Sequence, residues 1–210
     1  MGIESFWMFA LTALLLNLTP GNDMLYVAAR STSQGSKAGI LSSLGIMTGC
    51  MVHIFAAMVG LSAIIARSAL AFDIIKYAGA GYLIYLGIRA LISKKFSIKI
   101  NTSIKKLSYK KIFWQGVLTN VLNPKVALFF LAFLPQFINI AGGNAAIQIL
   151  FLGTWFNAGG TLVNVFVSLL FGKVGKWLRQ SPAFIQWQER ITGTILITLG
   201  IKVAISAPRP

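Results

Sequence analysis

Acid is what this chain has least of. Among 210 residues only four are Asp or Glu, and there is one His and one Cys. The lone Cys50 leaves no disulfide framework and no thiolate cluster, and it falls inside an apolar run, where it reads as a small packing residue. An enzyme needs a nucleophile with its base, paired carboxylates or metal ligands within reach of one another. The acids are Glu4, Asp23, Asp73 and Glu189, and only Asp23 lies deep in an apolar run. Enzymatic chemistry, a metal centre and a resident cofactor are therefore not expected. A metal-ion exporter is disfavoured too, because hard cations take several oxygens and soft ones take thiolates, and the one deep Asp has a lysine, Lys125, for a neighbour.

Charged residues of both signs make up 11% of the chain, against about a quarter in an ordinary soluble domain. What fills the chain instead is apolar: 56% of residues are hydrophobic. Runs long enough to cross a bilayer occur at Ser5 to Ala29, Gly39 to Ala66, Ala69 to Ile92, Ile112 to Phe137, Ala145 to Phe171 and Pro182 to Ala207. The expected fold is an all-α integral membrane protein of six transmembrane helices in one membrane domain. The second and third runs are separated so briefly, around Arg67-Ser68, that they form a tight hairpin. Residues Met1 to Phe6 lack a basic leader, so the first run reads as a spanning helix and not as a secretory signal.

The net charge of +15 sits between the apolar runs, so it reads as topology and not as a nucleic-acid surface. The first, third and fifth connections hold Arg30 and Lys37, then Lys94, Lys95, Lys99, Lys105, Lys106, Lys110 and Lys111, then Lys173, Lys176 and Arg179. The other side has little beyond Arg67, Lys76 and Arg209. This places both termini outside and the Ser93 to Lys111 loop in the cytoplasm, where it could also meet anionic lipid. Trp7, Trp114, Trp177 and Trp187 fall near helix ends, as interfacial anchors do.

The sequence repeats itself weakly. Leu83-Ile84 and Leu86-Gly87-Ile88 recur as Leu196-Ile197 and Leu199-Gly200-Ile201, and Thr19-Pro20 stands in the first run where Asn123-Pro124 stands in the fourth. Residues 1–92 and 112–210 thus form two three-helix repeats joined by the basic loop 93–111. With an odd number of spans each, they are inverted relative to one another. Gly35, Gly39, Gly45, Gly49, Gly79 and Gly81 are assigned to close helix packing.

Proline lacks an N–H and clashes with the carbonyl four residues earlier, so Pro20 frees the carbonyl of Leu16 and Pro124 that of Asn120. Thr19 and Asn123 are good helix caps and proline suits the first helical position, so helices 1 and 4 are expected to break and restart at Pro20 and Pro124. A restarted helix offers unpaired N–H groups to a carboxylate, and freed carbonyls suit an ammonium. Gly21 lets the backbone approach a ligand closely.

Lys125 lies roughly 18 Å of helix rise from either end of its run, too far to snorkel, so it must pair, neutralise or face water. Asp23 and Lys125 are expected to line one central cavity, with Asp23 capping its helix end or pairing with Arg30 as the structural alternative. His53 either makes an interhelical hydrogen bond or, with an unperturbed pKa of about 6.5, carries a coupling proton, a role open to Asp23 as well. In the fifth run Asn157, Gly160, Thr161 and Asn164 share a helix face, beside Trp155 and Phe156.

These residues resemble the lysine-exporter (LysE/RhtB) family of bacterial amino-acid exporters. The likeness runs through Leu18-Thr19-Pro20-Gly21, Gly45 to Gly60, Tyr77 to Leu91 and Asn120 to Phe137, and it is most specific in Leu122-Asn123-Pro124-Lys125 with Phe129 and Pro135-Gln136-Phe137. The resemblance implies a multi-pass inner-membrane protein that moves an amino acid or close derivative outward, driven by proton or membrane potential. It puts functional motifs on Pro20, Gly21, Asn123, Pro124 and Lys125. Family members often read Pro-Gly-Pro where this chain has Pro20-Gly21-Asn22, so its substrate need not be that of any one member. The expected substrate site comprises Thr19, Pro20, Gly21, Asn22, Asp23, Asn120, Asn123, Pro124, Lys125 and Asn157. A homodimer is left open, and the competing readings are an exporter of a metal ion or other small solute and a membrane scaffold whose polar residues only hold helices together.

Overall fold

In a computed structural model, residues 3–61, 69–92, 106–139, 143–178 and 182–205 are described. The Arg67-Ser68 hairpin and loop residues 93–105 fall outside them. Among the described residues all regular structure is helical: α1 (Ile3–Leu18), α2 (Asn22–Gln34), α3 (Ser36–Ala56), α4 (Ala69–Ile92), α5 (Tyr109–Val121), α6 (Pro124–Leu128), α7 (Ala145–Leu178) and α8 (Pro182–Ile205). By length and composition α3 with its following turn (Ser36–Gly60) and α7 (Ala145–Lys173) can each cross a membrane. So can α5 (Tyr109–Val121) with the helical segment Pro124–Phe137, which begins with α6, taken as one span bent by 44°.

The molecule is apolar outward. Leu11, Val59, Leu162 and Ile205 are more than half exposed, whereas Ser42, Ser43, Asn120, Asn123 and Ser168 are buried. Such a surface suits lipid. With no water to expel, helices in lipid associate through close packing, and small residues supply it. A Cβ on Gly49 would stand 2.6 Å from the Val117 carbonyl oxygen and one on Gly116 2.7 Å from that of Ser42, so α3 and α5 meet backbone to backbone. Helices α4 and α8 meet the same way. Gly87 seats against Gly193 and Ile197, and Gly200 against Ala80 and Ile84. The glycine assignment holds for Gly39, Gly45, Gly49 and Gly79. Gly35 and Gly81 have nothing within 4 Å, and Gly35 instead makes the bend between α2 and α3 at φ +85°, a conformation that favours glycine.

The two breaks differ. Asn123 caps α6, its side-chain Oδ1 accepting the Lys125 N–H at 3.1 Å, and Pro124 takes the first helical position as expected. In the first run Thr19 caps nothing. Its hydroxyl donates back to the Leu16 carbonyl at 2.6 Å, Gly21 follows in extended conformation (φ −164°, ψ −174°), and α2 restarts at Asn22 without a side-chain cap. A Thr hydroxyl free to bond its own preceding turn satisfies the carbonyl that Pro20 releases.

The helix after Pro124 does not stay regular either. It widens to a π turn at Phe129–Phe133 and tightens to a 3-10 turn at Leu134–Phe137. Pro135 has no N–H for Leu131, and the Gln136 side chain donates to the Ala132 carbonyl at 2.9 Å. This segment carries Phe129, Phe130, Phe133 and Phe137, which pack with Phe9 and Phe156 into the main core.

Candidate functional site

The breaks face each other across one cavity of about 40 Å³, enough for at most about three waters and too small for an amino acid. Of the expected site residues, Thr19, Gly21, Asp23, Asn120, Asn123, Lys125 and Asn157 line it. Pro20, Asn22, Pro124 and His53 do not. The prolines act by shaping the backbone, and Asn22 and Pro124 are exposed. The expected α7 stripe is present in full, with Asn157, Gly160, Thr161 and Asn164 on the cavity wall. Phe156 also lines the cavity, whereas Trp155 turns into an outer groove with Trp7.

Lys125 is paired, and its partner is Thr19, not Asp23. Its Nζ donates to the Thr19 carbonyl at 2.8 Å and to the Thr19 hydroxyl at 2.9 Å. The stem reaches across Gly21, where a Cβ would lie 3.5 Å from Lys125 Cδ. Helix α1 has just ended there, so the ammonium meets the negative end of its dipole, an interaction typically worth about 0.3–1 kcal/mol and up to ~2 kcal/mol when partly buried. One half of the chain thus caps a helix of the other.

Asp23, in the first turn of α2, accepts the Asn120 side-chain N–H at 2.8 Å. It pairs with neither Arg30 nor Lys125. Arg30 donates to Gln115 and Gln34. The Asn120 carbonyl freed by Pro124 accepts the Asn123 N–H at 2.9 Å and lies 3.0 Å from His53 Nε2. Among the described residues, three buried polar atoms of the cavity lining make no well-formed hydrogen bond: the acceptors Asp23 Oδ1 and Asn120 Oδ1, and the donor Asn123 Nδ2, whose amide faces the Asp23 carboxylate.

On one side the cavity ends at an aromatic layer, where Phe156 stacks on Phe129 at 4.0 Å between centroids, 19° from parallel. Met24 and Ile46, also on the wall, belong to a smaller apolar cluster with Val27 and Val167.

Asn17, Met24, Ile46, Cys50 and Val126 also line the cavity, and the sequence does not single them out for the site. Asn17 donates to the Phe156 carbonyl at 3.0 Å. Its signal was available, since an amide near the centre of an apolar run is costly unless it has a partner. Cys50 fills space as expected, but it does so on the cavity wall.

The profile of the LysE type translocator family matches residues 14–207. The chain belongs to this family. Members are transporters and not enzymes, so this LysE-type translocator is a membrane protein whose polar cavity is a transport site candidate. It is similar to the uncharacterized membrane protein YrhP of Bacillus subtilis (strain 168), 37% identical over 202 residues that cover 92% of this chain and 95% of YrhP. It is also similar to the homoserine/homoserine lactone efflux proteins of Salmonella typhimurium (strain LT2) and Salmonella typhi. These are 32% and 31% identical over 200 residues, covering 94% of this chain and 96% of each relative. No solved structure matches the chain.

Proposed function

We propose that this translocator exports a small zwitterionic amino acid, or a close derivative, across the bacterial inner membrane. The observation that carries this reading is the set of unpartnered atoms in the cavity. Asp23 Oδ1 and Asn120 Oδ1 are acceptors for an ammonium. Asn123 Nδ2 is a donor for a carboxylate, beside the Lys125 ammonium. Leaving such groups buried and unpaired costs about 1–3 kcal/mol each, more when charged, and a bound zwitterion relieves that cost. The other polar lining, Asn17, Thr161, Asn157 and Asn164, is uncharged, which suits a neutral side chain.

The finer architecture follows the same reading. Six spans form two inverted repeats, with both termini outside and the 93–111 loop cytoplasmic. The reciprocal seating of Gly87 on Ile197 and Gly200 on Ile84 supports the repeat, since these residues occupy matching positions of the two halves. So does the break: Lys125 in one half corresponds to Gly21 in the other, and the side chain of the first passes over the second. The cavity of about 40 Å³ is too small for an amino acid, so the site has to open further to admit one.

Asp23 is the group for proton coupling. Asp23→Asn is expected to keep the protein folded but to make export indifferent to an imposed pH gradient in proteoliposomes. Retained gradient dependence removes the coupling role. The function itself is tested by growing cells with and without the protein on toxic levels of homoserine and of individual amino acids. Resistance to at least one is expected, and resistance to none, with the protein present in the membrane, contradicts the exporter reading.

A further inference from the structure

We infer that His53 is a positioning residue for the ammonium end of the site, acting through Asn120 without touching the substrate. The inference rests on the exporter reading above. Pro124 leaves the Asn120 carbonyl without its helical donor, at a depth where lipid supplies none. That carbonyl receives the Asn123 N–H at 2.9 Å, and His53 Nε2 lies 3.0 Å away. A carbonyl only accepts, so Nε2 carries the hydrogen and the tautomer follows from the partner. The imidazole is held flat against Phe130, 6.0 Å between centroids and 11° from parallel, which fixes the direction of its N–H.

The consequence lies on the other side of the same residue. With its backbone pinned by His53, Asn120 turns its side-chain Nδ2 onto Asp23 Oδ2 at 2.8 Å. Asn120 Oδ1 and Asp23 Oδ1 are then left as the two acceptors of the cavity. His53 itself is absent from the lining, and the ionisable groups around this end of the cavity are Asp23 on α2, Lys125 on α6 and Cys50 on α3. A proton carrier has to meet the transported solute or its counter-ion. Among the described residues His53 makes its hydrogen bond to the carbonyl that the break released and its ring contact to Phe130, and it acts on Asp23 only through space.

Removing the donor while keeping an apolar filler lets the freed carbonyl seek another partner and swings the Asn120 amide away from Asp23. Glutamine, whose amide N–H extends about as far as Nε2, restores the donor and cannot titrate in the physiological range. The experiment measures initial export rates in proteoliposomes for wild type, H53L and H53Q, each confirmed as monodisperse in detergent. The probe is radiolabelled homoserine together with each amino acid that gives resistance in the growth screen.

H53L is expected to raise KM about tenfold while the maximal rate stays within about twofold, the signature of weakened binding of ground and transition states alike. H53Q is expected to stay within about twofold of wild type in both, with an unchanged pH profile. An H53Q protein as impaired as H53L, or one that loses the pH dependence of wild type, overturns the positioning role, as does an H53L protein with wild-type KM. A wild type that carries none of the probes overturns the exporter reading and this inference with it.

Discussion

Exchanging Lys125 for methionine lowers export on the order of a hundredfold while the protein still inserts and folds. The methionine stem fills nearly the same space across Gly21, but the ammonium is gone. The substrate carboxylate loses a buried charge-assisted hydrogen bond, a loss of roughly 1.5–3 kcal/mol, which corresponds to about ten- to a hundredfold. The Thr19 carbonyl and hydroxyl, which Lys125 Nζ now holds at 2.8 Å and 2.9 Å, lose their donor from the other half of the sequence as well, and α1 loses the cation at its C-terminal end. Efflux of radiolabelled solute from loaded cells, normalised to protein in the membrane, reads this directly. A scaffold whose polar residues only join helices would show reduced protein and no selective loss of transport.

The largest effect on folding is expected at Gly45. A Cβ there would fall inside the Phe113 carbonyl oxygen and 3.1 Å from the Val117 nitrogen, so the obstacle is backbone and cannot rotate away. Gly45→Ala must push α3 off α5, and overpacking of this kind costs about 1–3 kcal/mol, with a backbone clash at the top of that range. Most of the protein is then expected to be lost from the monodisperse fraction after detergent extraction, with a lower melting temperature in what remains. Gly81→Ala is the control, because nothing lies within 4 Å of its Cβ position. It is expected to be neutral or slightly stabilising, alanine being the better helix former by about 1 kcal/mol.

Where local rules apply, the sequence was a sufficient guide. Ala69–Ile92 is helical end to end as the apolar run implies, and Asn123-Pro124 restarts a helix because a capping amide and a fixed φ act within three residues. The same rule applied to Thr19-Pro20 misses, because a hydroxyl on a β-branched carbon can also bond backward to Leu16, and that local competitor wins. The π and 3-10 turns after Leu128 have Pro135 as a visible cause, but their register depends on packing of Phe129 and Phe133 against other helices.

Membership of the cavity was legible for Asp23, Asn120, Asn123, Lys125 and Asn157, since polar groups in bilayer-length runs have few other places to go. Their pairing was not. Lys125 chooses a backbone carbonyl 106 residues away, and backbone carbonyls look alike in every sequence. Asp23 turns to Asn120 for a reason equally remote, the shape imposed by two breaks meeting.

In the proposed function the exported amino acid occupies the cavity between the two breaks. Cys50 offers the direct measurement, because it is the only cysteine in the chain and it lies on the cavity wall. Maleimide labelling of the unmodified protein in proteoliposomes is expected to proceed slowly, as the site opens, and to slow further with rising concentration of the exported amino acid, half-maximally near its KM. Labelling that is unchanged by a saturating exported solute would contradict the assignment of this cavity as the substrate site.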